Sequence, residues 1–247
     1  SGAAAARTIW EQRVNSGAEG AEWAQTWPER FAIAGRVVWF YLGKLVWPAE
    51  LIFIYPRWSI DAGSPLAFAP LAAGCGVLAL LWWRRDGALR PVFAGAIYFG
   101  ALLFPVLGFF SVYFFRYSFV GDHFQYLASM GPLVLAGAGL KVLLERLCPA
   151  GGRAYTLGGI VPVVVLGALG VMTWRETGQY LNKEALWRTT LARNPDAFMA
   201  WANLGATLAE KGRHPEAILA FRRALQLRPQ DAPVLNDLGC SLVLLER

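Results

Sequence analysis

The sequence predicts an all-α protein in two parts, a polytopic membrane helical bundle followed by an α-solenoid of short helical repeats. The 247 residues are 56% hydrophobic and only 16% charged, whereas soluble domains average roughly 25% charged residues. The 11 Trp, 8 Tyr and 15 Phe point the same way, because Trp and Tyr concentrate at membrane interfaces. After Trp174 the composition becomes amphipathic and polar, which separates the two parts.

Four uncharged runs account for the membrane part, since crossing a bilayer takes about 20 apolar residues in a helix. We expect these transmembrane helices within 56–174, at about 62–83, 91–115, 124–141 and 154–174. Residues 1–30 are expected to form an extramembrane loop. The chain opens without Met and stops inside a predicted repeat helix, so we expect a piece of a longer protein.

Residues 31–55 form a fifth apolar run, which is less uniform than the other four. Arg36, Lys44 and Glu50 interrupt it, and Pro48 is expected to break or kink a helix. Arg36 and Lys44 are eight residues apart and therefore share one helical face. This pattern predicts either an interfacial helix, which we favour, or a poorly hydrophobic span.

The charges of the loops predict the orientation of the membrane part. Cytoplasmic loops carry an excess of Lys and Arg, and two of the predicted loops are rich in these residues: Arg84, Arg85 and Arg90 in one, Lys141, Arg146 and Arg153 in the other. The opposite side carries only Arg57 and Arg116 near the spans. Everything after Trp174 is then predicted to lie outside the cytoplasm.

The polar part, residues 179–247, has the spacing of tetratricopeptide repeats (TPRs). With Phe198 as position 1, repeat positions 4, 7, 8, 11, 20, 24, 27 and 32 are occupied by Trp201, Leu204, Gly205, Leu208, Ala217, Phe221, Ala224 and Pro229. This predicts a complete repeat over 198–231. Because solenoid repeats bury their faces on one another, further repeats are expected beyond Arg247. The segment is predicted to bind a protein or peptide in its groove, or else to act as a spacer.

Ionisable residues at a membrane boundary are functional candidates, and one predicted extracytoplasmic loop carries Arg116, Asp122, His123 and Tyr126. Arg and His could hold a lipid phosphate, and Asp could accept hydrogen bonds from hydroxyls or fix the His tautomer. The alternative is that these residues anchor the interface and order the loop.

A second loop contains Pro48, Pro56 and several aromatic residues, a composition that fits a rigid turn presenting Arg57 and Asp61. These two residues, with Arg36 and Lys44, are secondary candidates for contact with a lipid phosphate.

Other classes of function lack support in the sequence. Cys75, Cys148 and Cys240 have wide, patternless spacing, which favours neither a zinc site nor a disulfide framework. The motifs of zinc proteases, P-loops and nucleophile-elbow hydrolases are absent from the sequence, and we predict no metal ligands or bound cofactor. The net charge of +6 is explained by the cytoplasmic loops, so a nucleic-acid partner is not expected.

Three segments, Arg36–Pro48, Phe53–Trp58 and Phe115–Ser129, resemble a bacterial family of membrane proteins with C-terminal TPRs. That family is similar to the eukaryotic transmembrane and TPR-containing O-mannosyltransferases. Asp122 to Gly131 resembles their Asp-Arg-x-x-Tyr-x-Pro-Ser-x-Gly segment, although His123 replaces the Arg and Ala128 the Pro.

The resemblance implies a GT-C type glycosyltransferase in the bacterial inner membrane, with its TPR segment extracytoplasmic. Such an enzyme moves sugar from a polyprenyl-phosphate donor to a Ser or Thr hydroxyl of a protein. The resemblance also implies that the catalytic acidic residue lies in a more N-terminal loop, outside this chain. Within the chain, Arg116 and His123 are predicted to contact the donor phosphate, supported by Asp122 and Tyr126. An oligosaccharide polymerase or ligase, and a membrane-anchored TPR scaffold without enzymatic activity, are the alternatives.

Overall fold

The computed structural model describes residues 24–147 and 153–245, and they fold as two compact units. The membrane unit comprises the described residues up to Ala49 together with Ser59–Thr173. The TPR unit comprises Glu50–Trp58 and the chain from Trp174 onward. The described residues form α-helices and short 3₁₀ turns without a β-strand, as the all-α prediction required.

The membrane unit contains five helices, of which the last continues into the TPR unit: α1 (Trp27–Val46), α2 (Ala69–Trp83), α3 (Arg90–Leu103), α4 (Met130–Leu147) and α5 (Arg153–Thr177). Its 3₁₀ turns are Pro65–Phe68, Phe104–Val106, Tyr113–Arg116 and Asp122–Gln125. Within residues 24–147 and 153–245, two stretches are long and apolar enough to cross a membrane, Pro65–Trp83 and Gly159–Tyr180. Arg90–Val106 is apolar but shorter.

Helix α1 differs from the helix predicted over 31–55. It begins at Trp27, because the Thr26 amide donates to Glu29 Oε2 at 2.7 Å in a capping box. It ends at Val46 because Pro48 cannot continue a helix and disfavours helical geometry in the residue before it. The apolar run over residues 31–55 therefore extends beyond the end of the helix.

Prolines also explain why two predicted spans have other bounds. The helix expected over 91–115 ends at Leu103, because Pro105 lacks the N–H that a longer α-helix needs at that position. The helix expected over 124–141 begins at Met130 and runs to Leu147. Its start follows from Pro132, which a helix tolerates only in its first turn.

The TPR unit contains four helices and a 3₁₀ turn at Gly178–Tyr180: α6 (Lys183–Arg193), α7 (Phe198–Glu210), α8 (His214–Leu227) and α9 (Ala232–Leu245). Helices α7 and α8 pair as the repeat spacing predicted. They approach closely at Gly205, where a Cβ atom would lie 2.5 Å from the Phe221 ring. Gly212, with a φ of 73°, ends the turn between them, a conformation that glycine adopts readily.

Residues 50–58 belong to the TPR unit, a location that their sequence did not predict. We call Glu50–Trp58 the inserted segment, because it follows α1 yet packs on helices that begin more than 120 residues later. Phe53 meets the Trp187 ring edge-on at a centroid distance of 5.6 Å, and Ile52, Ile54 and Tyr55 are buried.

Candidate functional site

The loop between α3 and α4 carries the four leading site candidates, and the first turns of α1 hold its beginning. Arg30 Nη1 donates to the carbonyl oxygens of Gly108 at 2.7 Å and Phe109 at 3.2 Å. Gly108 has a φ of 103°, and a Cβ atom there would lie 3.1 Å from Ile33 Cγ2. The position therefore requires glycine on two grounds, conformation and space.

Further along α1, Tyr41 holds the same loop next to Asp122. The Tyr41 hydroxyl donates to the Gly121 carbonyl oxygen at 3.1 Å and accepts from the Gly121 amide at 3.0 Å. Burial raises the pKa of Tyr41, and the negative charge of Asp122 acts in the same direction. The hydroxyl therefore keeps the proton it donates, and its two bonds fix the backbone immediately before Asp122.

Within this loop the four leading candidates differ in exposure and surroundings. Arg116 is half-buried, with its guanidinium 5.9 Å from the Tyr117 ring centre. Asp122 is half-buried and begins a 3₁₀ turn. His123 is exposed and lies against Phe124, with ring centres 4.2 Å apart. Tyr126 is also exposed. The fold places all four on one loop with a fixed backbone.

The secondary candidates separate into three groups. Arg36 and Asp61 line the same cavity of about 350 Å³, together with Ser59 and Ser64. Asp61 is oriented by the Gly63 amide, which donates to Asp61 Oδ1 at 3.0 Å. The geometry thus provides one cation, one carboxylate and two hydroxyls around a single opening.

Lys44 and Arg57 lie elsewhere. Lys44 Nζ donates to the Ala49 carbonyl oxygen at 2.6 Å, just beyond the end of α1, so part of its role is to hold the chain after that helix. Arg57 belongs to the inserted segment and thus to the TPR unit. The sequence grouped Arg36, Lys44, Arg57 and Asp61 only because they are close in the chain. In the fold they have different surroundings.

An apolar groove of about 440 Å³ opens among α1, α2, α3 and α4. Its walls are formed by aliphatic, aromatic and glycine residues such as Val38, Leu71, Leu78, Phe99 and Leu135. Trp39 lies on its edge, where the indole Nε1 donates to the Pro70 carbonyl oxygen at 2.8 Å. A groove of this composition suits a hydrocarbon chain.

The inserted segment is held to the TPR unit through its backbone carbonyls. Gln179 Nε2 and Arg193 Nη1 donate to the Leu51 carbonyl oxygen at 3.2 and 2.7 Å. Asn194 Nδ2 donates to the Ile54 carbonyl oxygen at 3.2 Å. Because these bonds recognise main-chain atoms, no residue pattern in 50–58 could have revealed them.

A network of ion pairs ties α6 to α8. Glu184 accepts hydrogen bonds from Lys211 at 2.7 Å and from Arg213 at 2.8 Å, and Arg188 approaches it at 2.9 Å. These bonds, that from Lys211 foremost, lower the pKa of Glu184 to about 2. Arg213 also lowers the pKa of Glu216, with which it pairs at 2.6 Å.

A second groove lies on the TPR unit between α6 and α8. The sequence predicted a groove on this unit but did not identify its residues. It has a volume of about 510 Å³ and a floor formed by α7. The floor residues are Trp201, Leu204 and Leu208, and the walls are Arg188, Glu216, Leu219, Ala220, Arg222, Arg223 and Gln226. One feature of the sequence could have indicated this groove: Leu219 is an apolar residue on the charged face of α8. The residue is 63% exposed.

In the part of the chain that the structure describes, no group of three or more His, Cys, Asp or Glu side chains could hold a metal ion. Cys75 and Cys240 are exposed free thiols. Cys148, residues 1–23 of the predicted N-terminal loop and the last two residues of the TPR segment lie outside the described residues.

Comparison with known proteins identifies a repeat family and several similar proteins. Residues 183–232 match the tetratricopeptide repeat family. The chain is similar to the human and mouse proteins named Protein O-mannosyl-transferase TMTC1, with 38% and 33% identity over 157 residues, or 61% of this chain. It is also similar to Drosophila melanogaster Protein O-mannosyl-transferase Tmtc2, with 31% identity over 115 residues, or 47% of this chain. No solved structure matches it.

The chain aligns with about 15% of the length of the mouse relative and 16% of the human one. The predicted resemblance to TPR-containing O-mannosyltransferases is confirmed. Together with the two apolar helices, this similarity indicates a membrane protein.

Proposed function

We propose that this chain is part of a membrane glycosyltransferase that moves a sugar from a polyprenyl-phosphate donor to Ser or Thr hydroxyls of a protein. The observation that carries the proposal is the similarity to proteins named O-mannosyl-transferases over 61% of the chain. The loop held by α1 and the apolar groove among α1 to α4 give this proposal a physical form.

Arg116 and His123 are our candidates for holding the donor phosphate. A guanidinium can donate two parallel hydrogen bonds to phosphate oxygens, and a histidine can donate one. His123 is exposed on a loop whose backbone Tyr41 fixes at Gly121, so its ring is available to a ligand. Asp122 and Tyr126 lie on the same loop, and we propose that they support the ring or accept hydrogen bonds from hydroxyls.

The hydrocarbon part of the donor suits the apolar groove lined by residues such as Val38, Leu71 and Phe99. Because these helices are proposed to lie in the membrane, the lipid chain would be held in the groove by van der Waals packing against its walls. Recognition of the donor would then be divided between a polar loop for the phosphate and a helix-lined groove for the lipid.

In the proposed reaction the acceptor hydroxyl attacks the anomeric carbon of the donor sugar. The bond from that carbon to the phosphate oxygen breaks, and the polyprenyl phosphate leaves with the bonding electrons. The hydroxyl proton passes to a general base. We place that base outside this chain, as the resemblance implies. The contribution of Arg116 and His123 is to stabilise the negative charge that develops on the departing phosphate.

We also propose that the reaction takes place on the extracytoplasmic side of a bacterial inner membrane. The distribution of Arg and Lys supports this orientation, because it favours a cytoplasmic location for the loop containing Arg84 and Arg85. The TPR unit would then share the extracytoplasmic side with the Arg116 loop and bind the acceptor protein or another partner.

The test is sugar transfer in native membranes that contain the intact protein. A radiolabelled polyprenyl-phosphate hexose is supplied, and label in protein is compared between the wild type and Arg116→Ala/His123→Ala at equal expression. The matched control is Arg85→Ala, which removes a guanidinium lying 3.9 Å from the Trp82 ring centre, away from the loop.

We expect the double variant to lose transfer by about 100-fold or more, with the control close to wild type. Full transfer in the double variant would overturn the assignment of the donor site. Absence of transfer with every donor tried would contradict the glycosyltransferase and favour the TPR scaffold.

A further inference from the structure

We propose that the groove between α6 and α8 binds an acidic peptide segment that carries an apolar anchor residue. This inference rests on the proposal that the TPR unit binds a protein partner, and it names the chemistry of that partner. It does not depend on sugar transfer, so the two proposals can fail separately.

The shape of the groove supplies the first argument. Its floor is apolar, because Leu204 and Leu208 of α7 lie at the base and Trp201 lies beside them. Leu219 of α8 forms part of the groove wall and is 63% exposed. If an apolar side chain of a partner covers Leu219, the apolar surfaces of that side chain and of Leu219 are both removed from water. This removal is favourable.

The charges on the walls supply the second argument. Three arginines line the groove, Arg188, Arg222 and Arg223, against a single carboxylate, Glu216. Glu216 is already paired with Arg213 at 2.6 Å and approached by Arg188 at 3.5 Å. Its negative charge is therefore largely neutralised by cations that belong to the unit itself.

The remaining charge around the groove is positive. Glu184, the other carboxylate of the network, is shared by Lys211, Arg213 and Arg188 at 2.7 to 2.9 Å. Two carboxylates thus interact with three cations, and Arg222 and Arg223 add to this excess. Both arginines are exposed on α8, where Arg223 donates to Gln226 at 3.0 Å in the same helix.

A partner with carboxylates on either side of one apolar residue would complement both features. Its apolar side chain would rest on Leu219 and the α7 floor, while its carboxylates would pair with the guanidinium groups of Arg222 and Arg223. Arginine favours such contacts, because its planar group can donate two hydrogen bonds to one carboxylate. Electrostatic complementarity of this kind raises both association rate and specificity.

The experiment uses the full 247-residue chain in nanodiscs of neutral phosphatidylcholine. The probe is a short fluorescein-labelled peptide of Asp and Glu around one central Leu, and binding is measured by fluorescence anisotropy. Two further peptides serve as comparisons: one with Gln in place of the acids and one with Gly in place of Leu. Binding is measured at about 50 mM salt, where charges are weakly screened, and again at about 300 mM.

We expect Arg222→Gln/Arg223→Gln to weaken binding of the acidic peptide about tenfold, and Leu219→Ser to weaken it severalfold. The control is Arg84→Gln/Arg90→Gln, which removes the same charge at exposed positions outside the groove and should leave binding within about twofold. Circular dichroism of each variant checks that the helices form.

Three results would overturn the proposal. Equal weakening by both double variants would show attraction to net charge alone. Equal binding of the Gln peptide would show an apolar site without charge selectivity. Affinity for phosphatidylglycerol vesicles, with none for the acidic peptide, would assign the arginines to a membrane surface. Loss of peptide binding in the groove variants with sugar transfer intact would leave the enzyme proposal untouched.

Discussion

Asn194 Nδ2 donates to the carbonyl oxygen of Ile54 at 3.2 Å, although 140 residues separate the two positions. The bond joins the end of α6 to a segment that the chain order places between α1 and α2. Arg193 and Gln179 reinforce it through the Leu51 carbonyl. The TPR unit is therefore completed by a segment taken from within the membrane part of the sequence.

Removing the side chain of Phe53 should loosen the TPR unit. Phe53→Ala deletes the ring that packs edge-on against Trp187 at 5.6 Å, and we expect a loss of about 2 kcal/mol in local stability. Hydrogen exchange of the α6 amides in the full chain measures it. Pro56→Ala is the control, because Pro56 is exposed in the same segment. Unchanged exchange in Phe53→Ala would mean that the segment only rests on the unit.

The loop that carries His123 should depend on one hydroxyl group of α1. Tyr41→Phe removes both hydrogen bonds to Gly121 and leaves the buried Gly121 amide unsatisfied, while the Gly121 carbonyl still accepts from the Phe124 amide at 3.0 Å. An unsatisfied buried amide costs about 1–3 kcal/mol, so exchange across the loop containing Asp122 should accelerate while α1 itself remains folded.

The control for Tyr41→Phe is Tyr113→Phe. Tyr113 is exposed, and its hydroxyl makes a long hydrogen bond of 3.4 Å with the Tyr117 hydroxyl. Equal exchange in the two variants would contradict the fixing role of Tyr41. In the transfer assay proposed above, Tyr41→Phe should lower activity, because Tyr41 positions the loop that carries the proposed donor contacts.

Local patterns and distant contacts differ in how well a sequence reveals them. The TPR positions of Leu204, Gly205 and Phe221 could be read directly, because each repeat buries the same positions within about 34 residues. Tyr41 and Gly121 could not be paired, because a backbone carbonyl bonded 80 residues away leaves no periodic signal.

The helix ends show a related limit. The apolar run predicted to be a helix over 91–115 continues through Pro105 and Gly108. The backbone preferences of these two residues end the helix and begin a loop, which hydrophobicity alone does not reveal. Of the site candidates, Arg116, Asp122, His123 and Tyr126 share one loop because they are close in sequence. The cavity shared by Arg36 and Asp61, and the groove between α6 and α8, depend on packing between helices.

Gly205 and Gly239 should respond oppositely to the same substitution. Gly205→Ala places a Cβ atom 2.5 Å from the buried Phe221 ring, so α7 and α8 must separate at a cost of about 1–3 kcal/mol. Gly239→Ala meets no atom within 4 Å and should stabilise α9 by about 0.5–1 kcal/mol through helix propensity. Thermal unfolding of the TPR unit measures both changes in stability. A lower unfolding temperature in Gly239→Ala would show that α9 packs more tightly at this position.

The ion-pair network should make the stability of the TPR unit depend on acidity. Hydrogen bonds from Lys211 and Arg213 lower the pKa of Glu184 from 4.5 to about 2 in the folded state. The folded protein therefore holds the Glu184 proton less tightly than the unfolded chain does. The resulting stabilisation is fully present above pH 4.5 and is lost as the pH falls through 4.5 towards 2.

Glu184→Gln removes this titration and provides the comparison. Its unfolding midpoint should lie below that of the wild type at pH 6, and the two midpoints should converge as the pH approaches 2, because the wild-type carboxylate then becomes protonated. Urea unfolding followed by circular dichroism at several pH values measures the difference. A difference that stays constant across this range would show that Glu184 acts through packing, while a difference that grows towards low pH would contradict the sign of its pKa shift.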